Sequence, residues 1–198
     1  MSWPVVQISD VAKVVTGKTP SKAELDNFGG SIPFVTPKEL NKKTYVNVTP
    51  QTLSEKGADS VSLIPRNAVL VCCIGSIGKI GIAGMAMATN QQINAVIFDE
   101  NKVHYEFGFY ALGQLKRSME EIASGTTIAI INKSKFQSLK IPLPPLAEQK
   151  RIADILDKAD GIRRKRQQAI DLADEFLRAT FLDMFGDPVT NSKQLKTV

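Results

Sequence analysis

The side chains able to do chemistry are few, and their spacing does not suit catalysis. Gly75-Ser76-Ile77-Gly78-Lys79 has the glycines and lysine of a phosphate-cradling loop. Such a loop needs a glycine five residues before Gly78 and a Ser or Thr after the lysine to hold magnesium. Cys73 and Ile80 stand there, so these glycines are expected to turn a tight strand connection. Glu100-Asn101-Lys102 and Glu148-Gln149-Lys150 each supply the Glu-x-Lys part of a metal-dependent nuclease centre, but neither has an evident partner aspartate. They are read as chance triplets. No Asn-Pro-Pro-Tyr-type loop is present to hold a flipped base, which speaks against methyl transfer by this chain. His104 is the single histidine, which excludes most histidine-based metal and triad schemes; a helix start is its expected place. The adjacent Cys72 and Cys73 lie in an apolar run and are read as buried strand residues, since neighbouring cysteines seldom bridge. No catalytic residue, metal or cofactor is assigned to the chain.

Recognition chemistry remains. Lys18, Thr19, Lys38, Asn41, Lys42 and Lys43 crowd one long loop region. Thr126, Thr127, Asn132, Lys133, Ser134 and Lys135 bracket the apolar stretch 128–131, and Asn90-Gln91-Gln92 forms an amide cluster. Lysines and hydroxyls suit phosphate contacts, and side-chain amides suit adenine edges in the major groove. The competing reading for each is a solvated loop or a turn-stabilising side chain. Net charge is +5, and the surplus lies in residues 1–146, which hold 15 Lys/Arg against 11 Asp/Glu. That balance is compatible with a polyanionic partner.

The elements that must position these groups mix strands and short helices. β-branched runs bounded by Gly, Pro, Asn or Asp predict strands at 45–48, 61–63, 69–74, 80–83 and 93–98, with a shorter one at 128–131. Ser9 is expected to cap a helix running to residue 15, and residues 17–43 read as loop with brief helix. Tyr105, Phe109, Leu112, Met119 and Ile122 predict one helix over 104–123, and a short helix is expected at 133–139. Strands clustered before helices favour an α+β fold. The 43% apolar and 23% charged content is that of a soluble globular chain, and no run approaches the length of a membrane helix, so a cytoplasmic location is expected.

A long helix follows the strand-like stretch 141–143 and Pro144-Pro145. Ile152, Ile155, Ala159, Ile162, Ala169, Ala173 and Phe176 recur at intervals of three and four, with Arg166 the one charged member of the series. This is the pattern of a coiled-coil seam. Gly186 and Pro188 are placed to end the helix. At about 1.5 Å per residue it would run roughly 55–60 Å, too far to bury its seam on its own small domain. It is therefore expected to need a partner helix. The basic run Arg163-Arg164-Lys165-Arg166 points around the whole helix circumference and is read as partly solvated coiled-coil surface.

The residues PLPPLAEQKRIADILDKAD and FLDMFGDP resemble the conserved spacer region of the specificity subunits of type I restriction–modification systems. Further resemblances follow in order: Trp3-Pro4, Thr16-Gly17-Lys18-Thr19-Pro20, Gly29-Gly30-Ser31-Ile32-Pro33-Phe34, Gly75-Ser76-Ile77-Gly78, Asn90-Gln91 and Ser124-Gly125-Thr126. The resemblance implies a non-catalytic subunit whose domain, residues 1–146, reads half of a bipartite double-stranded DNA target. It implies a spacer and dimerisation helix at 147–185 that docks methyltransferase subunits. Those subunits would bind S-adenosylmethionine and methylate adenine, while a separate restriction subunit translocates and cuts. Such subunits usually carry two recognition domains and two spacer helices. Residues 186–198 are thus expected to open a second repeat, and the 198-residue chain to be a half-length form that pairs with a second copy. A small metal-dependent nuclease with a coiled-coil arm is the rival enzyme reading. A dimeric repressor or scaffold is the rival binding reading, disfavoured by the lack of a helix-turn-helix pattern.

Overall fold

A computed structural model of the chain describes residues 3–41, 44–123 and 129–187. In chain order the elements are β1 (Val5–Gln7), α1 (Ile8–Val11), β2 (Ala12–Thr16), β3 (Phe28–Val35), β4 (Tyr45–Val46), β5 (Thr52–Leu53), α2 (Glu55–Asp59), β6 (Val69–Cys72), β7 (Ile80–Ala83), β8 (Ala88–Thr89) and β9 (Ile93–Phe98). Then come α3 (Tyr105–Gly113), α4 (Lys116–Ala123), α5 (Lys133–Gln137), β10 (Lys140–Pro142) and α6 (Leu146–Phe185). This is the expected α+β fold with a long terminal helix. Two compact units result, Met1–Ala153 and Asp154–Val198. The globular unit thus takes in the first two turns of α6 and ends beyond the expected boundary at 146.

The main sheet has the order β2-β9-β6-β7-β4, and a smaller one β5-β3-β8. Pairing in the main sheet is antiparallel except for β4 against β7. Its central strands are apolar apart from the buried Asn94, because both faces are covered. Alternation divides them: Val69, Val71, Val96 and Phe98 pack under the helices with Phe107, Leu112, Met119 and Phe136. Leu70, Cys72, Ile93 and Ala95 face the opposite cluster with Val35, Leu40 and Met87. Burial of each large side chain contributes about 1.5–3 kcal/mol, so this two-sided packing is what holds the strand ends in register.

Strands at 80–83 and 93–98 match the expectation, and those at 45–48 and 69–74 are shorter than expected. Four expectations fail. The helix expected to be capped by Ser9 and to run to residue 15 has Gln7 at its N-cap and stops at Val11, because Val14 and Val15 are β-branched and pair with β9 instead. The 17–43 loop contains β3, eight residues whose register β5 and β8 set from a distance. No strand forms at 61–63; only Ile64 bridges, to Met87. The 104–123 helix is two helices: after Gly113, a poor helix former, Leu115 N–H bonds the Leu112 carbonyl in a tighter turn. The short helix ends at Gln137, two residues early, and its cap is Asn132, whose Oδ1 accepts from Lys135 N–H at 2.9 Å.

Helix α6 starts directly after Pro145, whose carbonyl accepts from Glu148 and Gln149 N–H. It closes at Gly186, at φ 75°, whose N–H bonds the Leu182 carbonyl at 2.8 Å. Within the globular unit, Gln149 and Ala153 are completely buried. Gln149 Oε1 accepts from His104 N–H at 2.8 Å, while its Nε2 donates to the Lys102 carbonyl at 2.9 Å and the Pro144 carbonyl at 2.8 Å. Ile152, assigned above to the dimer seam, packs on this globular core instead. In the second unit Ile155, Ile162 and Phe176 are exposed, as are Ala159, Ala169 and Ala173. Ile170, Leu172, Leu177 and Phe181 are exposed too, so the apolar surface there is broader than a narrow seam.

Candidate functional site

Register brings five segments to one end of the main sheet. Thr16, the last residue of β2, sits opposite Asn94, and Cys72, the last of β6, opposite Ile93. Val71 sits opposite Ile80, and Tyr45 opposite Ile82. Residues 17–19, the 74–79 turn, the approach to β4 and residues 90–92 therefore meet there. The stretch 129–131 joins them through the Ile74–Ile130 bridge.

Backbone bonds knit this end together. Gly17 N–H bonds the Ile93 carbonyl at 3.0 Å and Lys18 N–H the Thr89 carbonyl at 2.9 Å. Gly75 N–H bonds the Ala129 carbonyl at 2.9 Å, and Ile131 N–H the Cys73 carbonyl at 2.9 Å. The glycines of the 74–79 turn behave as expected: Gly75 and Gly78 take φ of 74° and 77°, a region other residues avoid.

The candidate recognition residues divide by what their side chains do. Thr19 and Gln91, far apart in sequence, meet on the exposed surface, where Thr19 Oγ1 donates to Gln91 Oε1 at 2.7 Å. Lys18 is exposed and reaches the Ser60 carbonyl at 3.3 Å. Lys38 is exposed in the turn after Thr36. Lys133, Ser134 and Lys135 are exposed on α5, which packs against α1 and β2.

Two others have side chains bonded within the chain. Asn41 adopts φ 64°, its Oδ1 accepts from Ile80 N–H at 2.8 Å, and it thereby fixes the approach to β7. Asn90 is buried; its Oδ1 accepts from Gln92 N–H at 3.1 Å and its Nδ2 donates to Gln92 Oε1 at 2.9 Å. Asn90 thus holds a turn with both ends of its amide, whereas Asn41 is exposed and is held through its Oδ1. Lys42, Lys43, Thr126 and Thr127 lie outside the described residues.

Sequence reasoning missed two lysines at this same end. Lys79 was weighed only as part of a failed phosphate loop. Lys116 stands on α4, and nothing in the local sequence ties it to residues 74–79; only tertiary contact does. A Cβ on Gly78 would fall 2.5 Å from Lys116 Cγ, so the lysine stem lies across that glycine.

The titratable groups elsewhere are structural. Tyr45 Oη donates to Glu106 Oε1 at 2.5 Å and lies 3.3 Å from Tyr105 Oη. Burial, and then the Glu106 bond, push the Tyr45 hydroxyl well above its ordinary range. His104 stands at the start of α3, as expected, without a capping bond from its side chain and with Nδ1 3.9 Å from Glu106 Oε2. Cys72 and Cys73 are free and buried, and desolvation pushes the Cys73 thiol up to about 12. A thiol so placed stays protonated and is a poor nucleophile. Among the described residues no three His, Cys, Asp or Glu side chains gather as a metal site requires. Among the same residues no helix is long and apolar enough to cross a membrane.

Residues 1–172 match the family of the type I restriction modification DNA specificity domain. The chain belongs to that family. Among curated members of this specificity-domain family, it is 30% identical over 176 residues to the HindI specificity subunit of Haemophilus influenzae, covering 83% of this chain and 38% of that one. It is 31% identical over 164 residues to the EcoR124I/EcoR124II specificity subunit of Escherichia coli, covering 78% of this chain and 40% of the relative. The chain thus spans well under half the length of these relatives. In fold it is similar to the HsdS subunit from Thermoanaerobacter tengcongensis, with a TM-score of 0.67 at 21% identity over 85% of this chain and 40% of that one. A subunit from M. genitalium covers 97% of this chain and 50% of its own, with a TM-score of 0.59 at 21% identity. Within the specificity domain, Gly75, Gly78 and Asn90 hold turns, and Gly17 lies against the Thr89–Asn90 backbone.

Proposed function

We propose that this chain is a DNA sequence-recognition module of a type I restriction–modification complex, reading one half of a bipartite target and performing no catalysis itself. The observation that carries the reading is the gathering of hydroxyl, amide and lysine side chains from separate segments at one sheet end, in a chain of the specificity-domain family. Half-buried Thr19 and exposed Gln91 offer hydrogen-bonding groups for base edges, and exposed Lys18 and Lys38 offer charge for phosphates. Helix α6 would set the distance to the other half-site and dock the methyltransferase subunits. S-adenosylmethionine would be held by those subunits, and a restriction subunit would join through the complex. Working with chromosomal DNA, the assembly would act in the cytoplasm.

The test is reconstitution with methyltransferase subunits and labelled S-adenosylmethionine. Adenine methylation at a bipartite sequence should require the chain, and the purified chain alone should neither transfer methyl groups nor cut DNA with magnesium. Gln91→Ala should shift which half-site is methylated while leaving stability within about 0.5 kcal/mol, as expected for an exposed side chain. Methyl transfer or cleavage by the chain alone, or unchanged target preference with the loop variants, would overturn these assignments.

A further inference from the structure

The cleft beside the 74–79 turn has a chemistry that residue spacing did not reveal. It encloses about 480 Å³ and is lined by Asn41, Ser76, Lys79, Lys116 and Glu120 among others. Its floor is held on several sides. Gly78 N–H bonds the Cys72 carbonyl at 3.0 Å, and Lys79 N–H the Ser76 carbonyl at 3.3 Å. Gln92 Nε2 donates to the Ile74 carbonyl at 3.3 Å, and Asn41 clamps Ile80 from the other side. A turn fixed this way loses little entropy when a ligand settles on it.

Two lysines reach this cleft from different elements. The Lys116 stem crosses Gly78, where only a glycine leaves room for it, and the residue lines the cleft. Lys79 Nζ lies 3.5 Å from the Pro37 carbonyl, a neutral acceptor that leaves its charge uncancelled. Among the described lining residues the one carboxylate, Glu120, pairs with Lys116 at 3.8 Å, but both side chains are more than half exposed. Such exposed pairs are weak and yield readily to a competing anion. Ser76, exposed at the tip of the turn, adds a hydroxyl.

We infer that Lys79, Lys116 and Ser76 form a phosphate clamp that grips the DNA backbone and sets the register in which the neighbouring Thr19–Gln91 surface meets the bases. The inference rests on the DNA-recognition reading above and adds to it where the duplex backbone is held. A phosphodiester fits better than a base edge: two ammonium groups and a hydroxyl are donors suited to anionic oxygens. The role is positional, so it should act on all sequences alike.

The experiment measures binding of the 198-residue chain to labelled duplexes of unrelated sequence by fluorescence anisotropy across a salt series. Lys116→Met and Lys79→Met keep the aliphatic stems while removing the charges. Each should lower the slope of log affinity against log salt by about 0.9, the value for one phosphate contact. Affinity should fall by a similar factor for every duplex, with unfolding temperatures unchanged. Glu120→Gln, which frees Lys116, should move affinity the opposite way. Slopes and affinities equal to the unmutated chain in all three variants would overturn the clamp while leaving recognition standing. A loss confined to one sequence would also overturn it, by making the lysines base readers. No binding of any duplex by the unmutated chain would remove the DNA-recognition reading and the clamp together.

Discussion

Gly17 follows β2 directly and lies against Thr89, the last residue of β8, and its lack of a side chain is required there. A Cβ would lie 2.2 Å from Thr89 Oγ1, 2.3 Å from the Asn90 carbonyl oxygen and 2.4 Å from that of Thr89. Two of these atoms are backbone, and neither can retreat without disturbing the bonds from Gly17 N–H to Ile93 and from Lys18 N–H to Thr89. Gly17→Ala is therefore expected to cost about 1–3 kcal/mol, the usual range for overpacking. Thermal unfolding followed by circular dichroism measures this, and a midpoint unchanged within a degree would disprove the close-approach argument. Because Lys18 and Thr19 follow directly, the same variant should weaken DNA binding more than its stability loss alone explains.

At the scale of elements, the first turns of α6 are a joint as well as a helix start. One buried amide, Gln149, satisfies the N–H that opens α3 and two carbonyls of the segments leading to α3 and α6. Removing it leaves three polar groups in a dry site, at about 1–3 kcal/mol for each one not rescued by water. Gln149→Ala should thus lower stability by at least about 2 kcal/mol, measured by urea denaturation. A loss below about 0.5 kcal/mol would show that the amide is dispensable. Ala153 is equally buried, so the helix is clamped over two turns before it becomes exposed.

For the whole molecule, the exposed part of α6 sets the expected assembly. Ile155, Ile162, Ile170 and Phe176 are 53%, 57%, 54% and 69% exposed. Each would contribute roughly 1.5–3 kcal/mol if fully buried against a partner. Pairing with a second copy through these helices, in a two-fold arrangement, is the simplest closed way to bury them. Two identical recognition domains would then call for an interrupted palindrome as the target. Light scattering of the 198-residue chain at micromolar concentration should give a dimer, and Ile155→Asp with Ile162→Asp a monomer with a folded globular unit. A monomer for the unmutated chain would refute self-pairing and leave recognition intact.

Sequence alone determined what depends on local chemistry and periodicity. The apolar stretches 80–83 and 93–98 became strands, the glycines at 75 and 78 became a turn, and Pro145 and Gly186 bounded the long helix. Ordered motifs also pointed to the family that residues 1–172 match. The site was legible only in part. Residues 17–19 and 90–92 drew notice as polar loops, but the contact between Thr19 and Gln91 depends on the β2–β9 register, which no local pattern encodes. The strand Phe28–Val35 was hidden for the same reason, since its partners β5 and β8 are distant and short. Asn41 and Asn90 also hold backbone, Asn90 locally through Gln92 and Asn41 across the fold through Ile80, and only the second depends on tertiary structure. Ile152 followed the helical repeat of the seam, yet the globular core reached it first, because periodicity fixes a face and not the surface that covers it. Lys116 became visible only through Gly78, where the fold lays one side chain across another's missing one.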